Sequence, residues 1–265
     1  MKRKLSIFVL SLISVMGVQK AVAWSTFEHG AIAYVAEQHL TPEAKAKCRY
    51  YLKHTLPYYS VWMDFWRGVD MYKSINNPHT ITESAEGTLD WSVGKLPGGV
   101  MAHLKNALDE LGDGKYKSLP DSIVRQRIIN MAHYIPDMHC PVHIKLHGYP
   151  VGSRKIYRNG KEVSFHGYWD GLSGKVRKGW TYERYTKEVD KATPEQVAQW
   201  TQGTLDDWGN DCIMYAHQAN EITPNGTDLA EFTKEQKDAA LALSDLTALM
   251  GAYRLAYVLN TIFKE

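Results

Sequence analysis

The sequence predicts a mainly α-helical chain carrying one small β-hairpin, and three observations predict it. Apolar residues recur at three- and four-residue intervals over several segments. Thr-Pro-Glu occurs at Thr41-Pro42-Glu43 and at Thr193-Pro194-Glu195, each supplying an N-cap and a proline at the first helical position. Asn159-Gly160 lies between two short runs, which suits a type I′ hairpin turn. The 265 residues, 44% hydrophobic and 23% charged, have an ordinary globular composition and suffice for one large domain.

The first 23 residues read as a segment outside that domain. Lys2, Arg3 and Lys4 form a basic start, Leu5 to Val18 is apolar, and Ala21-Val22-Ala23 has the small-x-small pattern read by signal peptidase. Gln19 and Lys20 close the apolar run before the roughly 20 residues that a membrane span needs. Residues 1–23 are therefore expected to be a signal peptide, with one domain over 24–265, a periplasmic or secreted location and no stable membrane anchor.

Within the domain, residues 29–40 place Ile32, Val35 and Ala36 on one face. Thr41 opens a helix expected to run to about His54. A further helix starts at Asp121 and carries Ile123, Ile128, Ile129 and Ala132 towards His133. Thr193 opens a segment expected to continue to about His217. The last helix, from about Thr233 to Phe263, has Ala240, Leu243, Leu246, Leu249, Tyr253, Ala256 and Leu259 at core spacing. The hairpin pairs Lys155–Arg158 with Lys161–Phe165.

Charge narrows the function. Lys2, Arg3, Lys4 and Lys20 are four of the 31 basic residues, and residues 1–23 hold none of the 29 acidic ones. The processed chain thus carries 27 bases against 29 acids, a formal −2. That balance excludes a broad basic face for nucleic acid, so attraction to phosphate must be local. Cys48, Cys140 and Cys212 allow at most one internal pair and contain no CxxC, which argues against a thiolate zinc site. No feature calls for an obligate protein partner.

The chemistry lies in histidines and aspartates. His133 and Asp137 are four apart on one helix, so both project from one face. His143 follows six residues later, and His166 and Asp170 repeat the four-residue interval after the hairpin. Asp64, His79 and His29 lie upstream. Imidazole and carboxylate donors with almost no sulfur suit zinc at a catalytic site. A single His-x-x-x-Asp pair is more often a solvated or capped pair; two pairs with His143 between them are harder to dismiss.

Their order and spacing resemble the S1/P1 nuclease family of trinuclear zinc enzymes. Trp24-x4-His29, the Trp-x-Asp ending at Asp64, His79, His133-x3-Asp137-x5-His143 and His166-x3-Asp170 all match its ligand pattern. Gly251-Ala252-Tyr253-Arg254-Leu255-Ala256 resembles its last helix. The resemblance implies a compact helical domain of the phospholipase C/P1 nuclease type. It also implies three Zn²⁺ ions. One would be held by Asp64, His79, His133 and Asp137. A second would take the amino nitrogen and carbonyl oxygen of Trp24, with His29 and the shared Asp137. The third would take His143, His166 and Asp170.

The implied reaction is hydrolysis of single-stranded DNA and RNA to 5′-phosphate products by a metal-bridging hydroxide, with 3′-nucleotidase activity beside it. Asp64 and Asp137 carry the catalytic metals in that scheme. Arg67 would grip a phosphate oxygen, with a surface salt bridge as its plainer reading. Three zinc ions would move the formal charge from −2 to about +4 and supply the missing attraction.

Thr80 and Thr82 stand where fungal relatives carry a base-stacking aromatic and a base-binding aspartate, so base preference does not carry over. Tyr72, Trp91, Tyr149 and Tyr168 offer aromatic surface nearby, although core or rim packing is the commoner use of such rings. The related zinc phospholipase C group is the alternative. There the last ligand is glutamate and the first histidine lies further from the tryptophan, and Asp170 and the short Trp24–His29 interval favour the nuclease. His139 and His147 are candidates for a supporting role, and the remaining histidines are expected to pack or face solvent.

Overall fold

Helix α1 (Thr26–Gln38) is buried on almost every side, because small residues at Gly30, Ala31, Ala33 and Ala36 let neighbouring helices approach closely. A Cβ on Gly30 would fall 2.2 Å from the Tyr182 ring. The computed structural model describes residues 24–66, 79–92, 99–149 and 153–264. The expectations for residues 1–23, Arg67 and Tyr72 lie outside the described residues.

Thr41 caps α2 (Pro42–Leu52) by accepting from Ala44 N at 3.2 Å, as the Thr-Pro-Glu pattern predicts. Two short helices follow, α3 (Leu56–Ser60) and α4 (Trp62–Trp66). After β1 (Ile81–Thr82) comes α5 (Val100–Leu111), whose Val100, Met101, Leu104, Ala107 and Leu111 are buried. Helix α6 (Asp121–His139) extends past His133 and is wholly buried from Ile128 onwards. It contains Pro136, which has no N–H to close onto the Ala132 carbonyl.

Strand β2 (Ile144–Lys145) pairs in parallel with β1. The hairpin forms as expected from β3 (Ile156–Arg158) and β4 (Lys161–Val163), with Asn159 at φ 51° and Gly160 at φ 72°. Its turn is held by Asp228, whose carboxylate accepts from Asn159 N at 3.0 Å and Gly160 N at 2.7 Å. The second strand stops short of Phe165, because Ser164 accepts from Gly167 N and caps α7 (Phe165–Asp170).

Helices α8 (Leu172–Val176) and α9 (Tyr182–Val189) lead to α10 (Pro194–Thr201) and α11 (Leu205–Ile222). The single segment expected from Thr193 to His217 is therefore two helices. Gly203 takes φ 85°, and Thr204 with Asp207 forms a capping box that starts the chain afresh. Helix α12 (Lys234–Ile262) opens on the Thr233/Gln236 capping box and is buried on all sides from Thr247 to Ala256. Helices α1, α6 and α12 pack against one another at the centre. One contiguous apolar cluster runs from Trp24 to Phe263, and the chain is mainly α, as expected. No helix among the described residues is long and apolar enough to cross a membrane. Cys48, Cys140 and Cys212 are all buried and unpaired.

Candidate metal centre

Tertiary packing brings His29 from α1, Asp64 from α4, His79 ahead of β1, and His133 and Asp137 from α6 to one buried point. The Asp137 carboxylate is its hub. Oδ2 lies 2.7 Å from His79 Nδ1 and 3.1 Å from His133 Nε2, while Oδ1 lies 3.2 Å from His29 Nε2 and 3.3 Å from His143 Nδ1. Asp64 stands further out, 3.8 Å from His29 and His133 and 3.9 Å from His79. His29 stacks on His133 with ring centroids 4.4 Å apart.

Local structure explains the arrangement. The four-residue interval aims His133 and Asp137 the same way from α6. The Ser60 carbonyl at the end of α3 lies 2.6 Å from His133 Nδ1. A carbonyl only accepts, so Nδ1 carries the proton and Nε2 presents a lone pair to the cluster. That lone pair sits 2.8 Å from His79 Nδ1 and 3.1 Å from a carboxylate oxygen, an arrangement that calls for a cation. The β1–β2 pairing ties the strand after His79 to the one after His143.

A second group lies alongside. The turn Pro141–His143 presents His143, and α7 presents His166 and Asp170. His143 Nε2 and His166 Nε2 each lie 3.6 Å from an Asp170 oxygen, and the two rings are stacked with centroids 5.1 Å apart. Cys140 Sγ donates to Asp170 Oδ1 at 3.5 Å, so a thiol joins this group although the cysteine spacing argued against it.

The surroundings shift the two carboxyls in opposite directions. Burial alone would raise the pKa of Asp137, but His133, His143 and His79 hold it well below the usual carboxylate range. Asp170 is pushed up to about 8 by burial, with His143 opposing. Burial holds His29 below its ordinary value, with His133 adding to the effect.

Trp24 is fully buried, and its indole Nε1 donates to the Pro136 carbonyl at 2.8 Å, one residue before Asp137. Ser25 N donates to the Asp170 carbonyl at 2.9 Å, tying the start of the described chain to α7.

The residues fit metal ions. His29 Nδ1 and Nε2, Asp137 Oδ1 and His143 Nδ1 are buried without a hydrogen-bond partner, a state that native interiors rarely tolerate. Among the described residues, three sets each bring their donor atoms within 4.8 Å of one another: His29, His133 and Asp137; Asp64, His79 and His133; and Cys140, His143 and Asp170.

Beside the centre lies a cleft of about 680 Å³ whose lining includes Thr80, Val142, Tyr149, Arg154, Phe165 and His166. Tyr149 is 49% exposed there, whereas Trp91 bonds Asp206 and Tyr168 is half-buried. His139 is buried at the C-terminal end of α6, where it bonds the Ile135 carbonyl and Arg254 rather than the cluster. His147 offers its backbone N–H to Glu83. The Ser60 carbonyl, Cys140 and Arg154 were not singled out from sequence. A backbone carbonyl leaves no residue-type signal, although Cys140 lies between two expected ligands.

A helical protein with a buried histidine–aspartate centre opening on a cleft is the class that this fold and site define. The family model described as S1/P1 Nuclease matches residues 24–264, and the chain belongs to that family. Membership makes it a nuclease-type hydrolase of phosphodiester bonds. No curated protein matches the chain.

Proposed function

We propose that this chain is an exported, zinc-dependent phosphodiesterase, one catalytic domain over 24–265, that cuts single-stranded DNA and RNA to 5′-phosphate products. 3′-Nucleotidase activity belongs to the same site. The observation that carries the proposal is the Asp137 carboxylate, buried and met by four imidazoles, two at each oxygen.

Three zinc ions are assigned: to Asp64, His79, His133 and Asp137; to Trp24, His29 and Asp137; and to His143, His166 and Asp170. Bound zinc polarises a phosphoryl oxygen and lowers the pKa of water towards neutrality. The chain supplies the rest. Asp137 meets two imidazoles at each oxygen, so its negative charge would offset the repulsion between two cations held beside it. Ser60 fixes the tautomer of His133, and burial keeps bulk water from these donors. His166, at the edge of the cleft, would with His143 and Asp170 hold the zinc that stabilises the departing 3′ oxygen. Arg67 is assigned to hold a phosphate oxygen.

Export completes the site. Cleavage after Ala23 turns the Trp24 amide into an amine of pKa about 8, which readily loses a proton to a metal. The match beginning at residue 24 and the burial of Trp24 support this. A phospholipase C-like phosphoesterase is the second reading, favoured by Thr80 and the apolar Val142, Ile144 and Leu146 lining the cleft. The test is to assay the mature, zinc-loaded protein against single-stranded DNA, RNA, 3′-AMP and phosphatidylcholine. Nucleotides carrying 5′-phosphates are expected; release of phosphocholine without nucleotide products overturns the proposal.

A further inference from the structure

Arg154 is a cation of the cleft that the metal centre does not use. Its guanidinium carbon lies 4.5 Å from the Tyr149 ring centroid and 4.9 Å from that of Phe165. Two aromatic contacts restrict the orientation of a side chain that is otherwise one of the most mobile. Nη1 is nevertheless buried without a hydrogen-bond partner. Glu162 also lines the cleft, but Lys155 Nζ bonds its carboxylate at 2.5 Å. The guanidinium is thus oriented, partly desolvated and not neutralised, which is the state of an anion receptor awaiting its anion.

The position of Arg154 limits what that anion is. Phe165, on which the guanidinium stacks, immediately precedes His166, and both residues line the same cleft as Lys145. An anion at Arg154 therefore lies beside the metal donors but outside them. A lipid headgroup brings a single phosphodiester, which the metal centre itself would take. A nucleic acid strand brings one at every nucleotide.

We infer that Arg154 clamps a second phosphate of the strand whose neighbouring phosphodiester lies at the metal centre, so that the enzyme favours substrates with at least two internal phosphates. This rests on the nuclease reading above. The planar fork of the guanidinium suits two phosphate oxygens, and Tyr149, half exposed beside it, offers a face for the adjoining base.

The test compares a dinucleoside monophosphate with the corresponding trinucleoside diphosphate, using the mature zinc-loaded protein and its R154Q and R154K variants. The wild type is expected to show the lower KM on the longer substrate. R154Q is expected to raise that KM about tenfold more than the KM for the shorter one. It is also expected to lower the salt dependence of oligonucleotide binding by about one unit of slope. R154K restores charge without the planar fork, so it should recover the salt slope but only part of the KM. Zinc content and melting temperature measured on each variant report a fold or metal defect, and such a defect with equal losses on both substrates overturns the inference. A wild type indifferent to length, or an R154Q variant with unchanged discrimination, overturns it while leaving the nuclease reading intact. A wild type that cleaves neither substrate overturns both.

Discussion

Around Asp137 the donors are sealed: His29 and His133 have fully buried side chains, Asp64 retains 6% exposure and His79 7%. His166 keeps 34% of its side chain exposed and lines the cleft. The two ends also differ in origin. The sealed end needs α1, α4, α6 and the strand after His79 to pack together, whereas the open end comes from α7 and the turn that follows α6. Their carboxyls differ too, with Asp137 held low by imidazoles and Asp170 raised to about 8 by burial. The contrast teaches a division of labour. In the proposed reading, the sealed end would fix metal positions through the whole fold and the open end would meet the substrate.

Breaking the sealed end should have the largest effect. Asp137→Asn leaves the shape intact but removes the charge shared by four imidazoles, and turnover is expected to fall by more than about 100-fold. Steady-state kinetics at saturating zinc check this. His166→Ala should be milder. It is expected to lower kcat by roughly 10–100-fold while the Asp137 donors keep their metals and the melting temperature stays near that of the wild type. Complete loss of metal from that variant would mean that the two ends are not separate.

Much of this site was legible in the sequence, and for a physical reason. The pairs His133/Asp137 and His166/Asp170 announce themselves because four residues make one helical turn, and Thr-Pro starts and an Asn-Gly turn are local chemistry. The break at Gly203 was missed although Gly203-Thr204 and Asp207 carry a local stop and restart. Helix α5 was passed over despite its Leu104, Ala107 and Leu111 spacing. What sequence does not carry is non-local. The Ser60 carbonyl that orients His133, the parallel β1–β2 pairing and the aromatic sandwich around Arg154 exist only once distant segments meet.

One further substitution probes what supports the sealed end. Arg254, 1% exposed, donates to the Trp200 carbonyl and bonds Asp211 and, at the C-terminal end of α6, His139. Arg254→Met should destabilise the protein by about 2–4 kcal/mol, because it leaves buried partners unpaired. Urea unfolding measures it, and a change below about 0.5 kcal/mol would show that the network does not brace α6.

The smallest effect is expected at Asp190, away from both ends, where His39 Nε2 and Tyr253 OH each donate at 2.8 Å. Burial would raise this carboxyl, but those bonds hold it below 3.8. A depressed folded-state pKa contributes stability above the unfolded value and loses it as pH falls through the folded one. Asp190→Asn should therefore cost about 1 kcal/mol at pH 5 and progressively less below about pH 3.8. An equal cost at pH 5 and pH 2.5 would contradict this.

The shared role of Asp137 is tested most directly by counting zinc. Elemental analysis of the purified chain beginning at Trp24 should find about three ions, and its Asp137→Asn variant should keep about one, held by His143, His166 and Asp170. A variant that retains all three, or a wild type holding fewer than two, would contradict the account.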